Sequence, residues 1–114
     1  MVDLNPYVDR ILRNIAPVEL AGSESSEKNP CIVIEQYDNR TAVVLEGEEF
    51  LSDICMQIDV YGRTPEERSL IAGEVSETMT AHGFIRTAGK SMGSQRFTMT
   101  FRVRVNETNY HFHQ

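Results

Sequence analysis

The side chains best suited to chemistry in this chain are two cysteines, three histidines and a scatter of carboxylates and arginines. His111-Phe112-His113 puts two imidazoles on one side of an extended segment, a pair that could hold zinc or nickel. A catalytic zinc needs three protein ligands, so this pair reads as a polar terminus. Cys31 or Cys55 with His82 would be a thiol and its base. Both cysteines fall mid-strand with no flanking motif, however, and there a thiol behaves as a small buried hydrophobe. Glu46, Glu48, Glu49 and Asp53 lack the regular oxygen spacing of a calcium loop and read as a solvated acidic hairpin. Ala88-Gly89-Lys90-Ser91 resembles the end of a phosphate loop only superficially, without the upstream glycine or the strand-to-helix setting. The reading is therefore of a protein that is not an enzyme and carries no metal or cofactor.

The arginines pose a different question. Arg86, Arg96, Arg102 and Arg104 could form a basic sheet face of the kind that binds RNA. Such readers need exposed aromatics on which bases stack. Here Phe97 and Phe101 share the apolar parity of their strand and belong to the core. A salt-bridged face meeting an acidic neighbouring subunit is the expectation instead.

These groups must be positioned by a chain of 114 residues, a length that suits one domain with one core. Hydrophobic residues make up 40% and charged residues 25%, which is ordinary for a globular protein. The net charge of −6 opposes wrapping nucleic acid, which needs surplus Lys and Arg to replace counterions. It suits a protein past which nucleic acid slides without sticking. No apolar run approaches the roughly 20 residues that cross a bilayer. Asp3 and the lack of a basic stretch in residues 1–6 do not read as a secretory leader. Two cysteines make no disulfide framework, so reduced thiols in a cytoplasm are expected.

The periodicities give the elements. Asn5 as N-cap and Pro6 at the first helical position, with Val8, Ile11, Leu12 and Ile15 at helical spacing, predict a helix over 6–15 that Pro17 stops. Residues 18–20 could be a short strand, and 22–29 an exposed loop. Residues 30–37 read as a strand from their β-branched run, broken by Asp38, Asn39 and Arg40. Residues 38–49 read as a flexible hairpin arm. Phe50, Ile54, Met56, Ile58 and Val60 alternate with Leu51, Asp53, Cys55, Gln57, Asp59 and Tyr61, a long strand over 50–61 whose second face looks to solvent or a partner.

Thr64-Pro65-Glu66-Glu67 is a capping box that opens a helix over 64–82. Leu70, Ile71, Val75, Met79 and His82 are read onto one face of it, and Gly83 as its left-handed stop. Gly73, inside the helix, would be explained by close packing on the sheet. Strands follow near 84–87 and 95–105, separated by a turn at 88–94, with a tail over 106–114. The expected fold is α+β: a mainly antiparallel sheet of four to five strands with two helices packed on one face, as a single domain over 1–114. Asn39, Arg40, Val43 and Leu45 on the arm, Leu51 and Tyr61 on the long strand, and Arg102 and Arg104 are the candidate contacts to neighbours.

The strand Pro30-Cys-Ile-Val-Ile, the long strand ending Gln57-Ile-Asp-Val-Tyr61, the capped helix through Met79 to Gly83-Phe84, and the closing strand Met99-Thr-Phe-Arg-Val-Arg-Val105 occur in that order. This arrangement resembles the tail terminator, or tail-completion, proteins of long-tailed bacteriophages over residues 6–105. The loop 38–49 departs from the usual pattern in detail, and nothing beyond Val105 matches. The resemblance implies a homo-hexameric ring, built from subunits that can be monomeric in solution before assembly, that caps the tail tube, halts its growth and meets the head connector. It implies a virion tail assembled in a bacterial cytoplasm, with DNA passing through the ring unbound and no membrane involved. Two alternatives remain open at this point: another neck or head-completion adaptor of the virion, and a small regulatory α+β domain that binds a ligand on its sheet.

Overall fold

The computed structural model describes residues 3–22, 30–45, 49–92 and 96–106, and among these all side chains except those of 38–45, 49–52, 88, 90–92 and 106. Two helices and five strands follow one another as α1 (Asn5–Leu12), β1 (Val18–Leu20), β2 (Cys31–Leu45), β3 (Glu49–Tyr61), α2 (Pro65–Ala81), β4 (Ile85–Met92) and β5 (Arg96–Asn106). The strands form one sheet in the order β1-β2-β3-β5-β4. Only the β1–β2 pair is parallel; the other three are antiparallel. The fold is α+β, with both helices on one face of this mixed, mostly antiparallel sheet.

Alternation decides which face the helices cover. Ile32, Ile34, Ile54, Met56, Ile58, Val60, Met99, Phe101, Val103 and Val105 all project to one side, and all are buried there. The pairs Ile58↔Met99, Met56↔Phe101 and Ile54↔Val103 lie directly opposite across β3 and β5, so three strands offer one continuous apolar surface. Val8 and Leu12 of α1, and Ile71, Ala72, Val75 and Met79 of α2, close over it. Phe84, 2% exposed, plugs the corner where α2 hands over to β4.

Helix α2 starts and stops as its sequence dictates. Thr64 Oγ1 accepts the Glu67 amide at 3.1 Å. The glutamate reaches one residue further back than a capping box requires, taking the Arg63 amide at 2.9 Å. Gly83 ends the helix at φ +91°, a conformation glycine adopts without steric penalty. The buried stripe differs from the expected one. Arg68, Ile71, Ala72, Val75 and Met79 face the core, whereas Leu70 is 72% exposed and His82 is exposed at the C-cap. At about 100° per residue Leu70 lies almost opposite the centre of the buried stripe. Its inner place is taken by Arg68, whose guanidinium donates to the Gly62 carbonyl at 3.0 Å. Gly73 is exposed and a methyl group there would meet nothing within 4 Å, so close packing on the sheet does not explain it.

Other boundaries shift for local reasons. Leu4, not Asn5, is the N-cap of α1, with Pro6 in the first turn. The helix ends at Leu12 rather than Ile15, because a tight turn (Ile15 N–H to Leu12 carbonyl, 2.9 Å) takes over before Pro17. Asp38, Asn39 and Arg40 do not break β2: bulges between Gln36 and Asp38 and between Thr41 and Val43 absorb the irregularity, and pairing continues to Leu45↔Glu49. The arm 38–49 is thus largely the outer half of the β2–β3 hairpin, and it helps give the molecule extents of 51 × 23 × 23 Å. Likewise β4 runs through Ala88–Met92, where a turn was expected, by a bulge between Arg86 and Ala88. The tail 107–114, and with it His111 and His113, lies outside the described residues.

Candidate interaction surface

With both helices on one side, the other face of the sheet carries no helix among the described residues, although Cys31, Val33 and Asp59 on it are buried. The register places Glu35, Gln57 and Thr100 in one row across it, Val33, Asp59 and Thr98 in the next, and Cys31, Tyr61 and Arg96 in a third. Towards the hairpin come Cys55 with Arg102, then Asp53 with Arg104. This face is polar but not loose. Asp59, 8% exposed, accepts from Thr98 Oγ1 of β5 at 2.7 Å and from Gln57 Nε2 of its own strand at 3.4 Å, so its carboxylate is satisfied. The hydroxyls of Thr87 and Thr100 meet at 2.7 Å.

Arg104 grips Asp53 with two hydrogen bonds, Nε to Oδ1 at 2.9 Å and an Nη to Oδ2 at 3.2 Å. That bond, and then the charge of Asp53, raise the guanidinium pKa above its ordinary value. Both side chains come from facing positions of β3 and β5, so strand register alone makes the pair. Arg102, one position before Val103 in β5, is exposed on the same face.

The expected four-arginine face is corrected at one member. Its register opposite Phe101 puts Arg86 on the helix side, where its guanidinium lies over the Phe97 ring at 5.9 Å. It also occupies the space that a side chain at Gly89 would need. Arg96, Arg102 and Arg104 remain, aligned on β5. Among the described residues no exposed aromatic ladder accompanies them, and Phe97 and Phe101 point to the core as expected.

The possible catalytic pairings are not assembled. Cys31 is buried and Cys55 half-buried on the open face, and no disulfide joins them. His82 lies in the helix layer on the other side of the sheet, its Nδ1 donating to the Thr78 carbonyl at 2.8 Å and its ring edge-on to Tyr7 at 6.0 Å. Asp53 is engaged by Arg104, and Glu46 and Glu48 lie outside the described residues. Among the described residues no three His, Cys, Asp or Glu side chains are placed to hold a metal, and no helix is long and apolar enough to cross a membrane.

Of the predicted contact residues, Tyr61, Arg102 and Arg104 stand on this open face. Asn39, Arg40, Val43, Leu45 and Leu51 lie on paired backbone, opposite Ile54, Asp53, Leu51, Glu49 and Val43, and their side chains fall outside the description. Two exposed apolar residues are missing from the predicted contacts: Leu70 on α2, which was read onto the core face, and Ile85 at the start of β4, 56% exposed and facing Arg102 across the strands. A helical projection of α2 would have found the first. The second depends on the strand pairing. Ile85 also borders an open groove of about 570 Å³, lined by Thr80 and Gly83 on one side and by Asp53, Arg102 and Arg104 on the other. No protein-family model matches the chain, and no curated protein sequence matches it.

Proposed function

We propose that the chain is a structural subunit of a bacteriophage tail: a tail terminator that assembles as a ring on the tail tube, halts its growth and offers a surface to the head connector. The observation that supports this reading is the placement of the segments behind the resemblance. The strand from Cys31, the strand through Gln57–Tyr61, the Thr64-capped helix and the strand Arg96–Asn106 form one connected sheet-and-helix unit. A polar, hydrogen-bonded sheet face, rather than a pocket with converging reactive groups, is what such a subunit would turn to its neighbours. The acidic balance of −6 suits a lumen through which DNA moves without being held.

The test is the native mass of the chain, alone and mixed with assembled tail tubes, paired with negative-stain images. A sixfold mass and annular particles that decorate one end of each tube are expected. A monomer under every condition sinks the proposal, and binding to connectors without tubes would move the chain to a neck adaptor.

A further inference from the structure

The helix layer carries an exposed stripe that nothing in the subunit explains. Leu70 is the most exposed large apolar residue described, at 72%. One helical turn on, Gly73 leaves bare backbone with no atom within 4 Å of an added methyl group, although glycine in a helix interior costs about 1 kcal/mol relative to alanine. Glu66, Glu74 and Glu77 are exposed beside them. The one base of α2, Arg68, is turned inward to the Gly62 carbonyl and offsets none of this charge at the surface.

The opposite side of the molecule carries the complement. Ile85 is 56% exposed and stands directly across from Arg102, which is itself exposed and joined by Arg104 and Arg96 along β5. The acids of this face are occupied: Asp53 by Arg104, Asp59 by Thr98 and Gln57, with Glu35 a strand and more away on β2. The spacings agree as well. Leu70 and Glu74 are separated by one turn, about 6 Å of rise. Ile85 and Arg102 are neighbours across a strand pair, about 5 Å apart.

We infer that the outer face of α2 docks on the open sheet face of a second copy of this chain, with Leu70 against Ile85, Glu74 and Glu77 against Arg102 and its neighbours, and Gly73 admitting the close approach. The two surfaces lie on opposite sides of a two-layer subunit, so the contact is heterologous and repeats from copy to copy. Such a contact closes into a ring when its rotation divides a full turn. The inference rests on the ring reading above and names the surfaces that would close it.

The experiment uses the full chain, alone and with assembled tail tubes, and measures assembly by sedimentation and native mass. Leu70→Arg and the pair Glu74→Arg with Glu77→Arg are each expected to raise the concentration for half-assembly about tenfold or more. Arg102→Glu should do the same, and combining it with Glu74→Arg in one chain should recover much of the loss. These side chains are exposed, so unchanged far-UV circular dichroism and melting keep the result separate from misfolding. Rings that form undiminished in the Leu70 and Glu74/Glu77 variants overturn the contact and leave the ring reading standing. Variants that form rings but no longer bind tubes also overturn it, assigning the α2 face to the tube protein. A wild-type chain that never assembles removes the contact and the ring reading together.

Discussion

The two faces of this sheet are built from the same strands and obey opposite rules. On the helix side, successive inward positions of β3 and β5 are Ile, Met, Val or Phe, fully desolvated and interchangeable in chemistry if not in shape. On the open side the intervening positions are mostly polar: Asp53, Gln57, Asp59, Thr98, Thr100 and Arg104 are hydrogen-bonded to one another or to β4, while Arg102 stands exposed. The first face holds the subunit together by burial, which is non-directional. The second contributes little to that and instead fixes where charge and hydrogen-bonding capacity stand. A polar face held in place by its own cross-strand bonds is preorganised to meet another surface without first reordering.

Substitutions at adjacent residues should separate these roles. The largest effect is expected at Phe101→Ala: full burial of the ring predicts a loss of about 3–5 kcal/mol in chemical denaturation. Its neighbour Arg102→Ala, exposed on the other face, should stay within about 0.5 kcal/mol. Similar losses at both positions would break the contrast.

Asp59→Ala tests the intermediate case, a buried polar group on the open side. Removing the acceptor of Thr98 and Gln57 should cost about 1–3 kcal/mol, since those donors lose their partner. A neutral result would mean that the open-face lattice is ornamental to stability. Thr64→Ala should cost about 1 kcal/mol through loss of the Glu67 amide bond, readable as a lower denaturation midpoint with an unchanged slope.

Gly73→Ala is the smallest change and sharpens the comparison most. With open space around it, alanine should stabilise the isolated subunit by up to about 1 kcal/mol. If the α2 face is a contact between copies, the same substitution should weaken assembly while raising the melting temperature. Stabilisation of both would place the glycine outside any interface.

Much of this architecture was legible because its signals are local. The Thr64 cap, the Gly83 stop and the period-two runs of β3 and β5 each follow from a few neighbouring residues, and each is found where the spacing put it. The errors cluster where a local signal was overridden by pairing. Asp38-Asn39-Arg40 and Ala88–Met92 look like breaks in isolation, yet a bulge lets a partner strand carry the ladder across both. Arg86 was grouped with the β5 arginines, but its pairing opposite Phe101 places it on the helix side. Leu70 was grouped with the core because it is apolar and adjacent to Ile71, although Arg68 supplies the inner position.

By itself, the sequence determined the number and kind of the main elements, the apolar face of the sheet and the acidic balance, because propensity, periodicity and net charge are sums over neighbours in the chain. Only the tertiary structure decided that β1 joins in parallel, that Asp53 and Arg104 meet, that the cysteines and His82 stand on opposite sides of the sheet, and that Leu70 and Ile85 are left bare. Each of those depends on register and on which layer covers which face, and these are set by contacts between residues far apart in sequence.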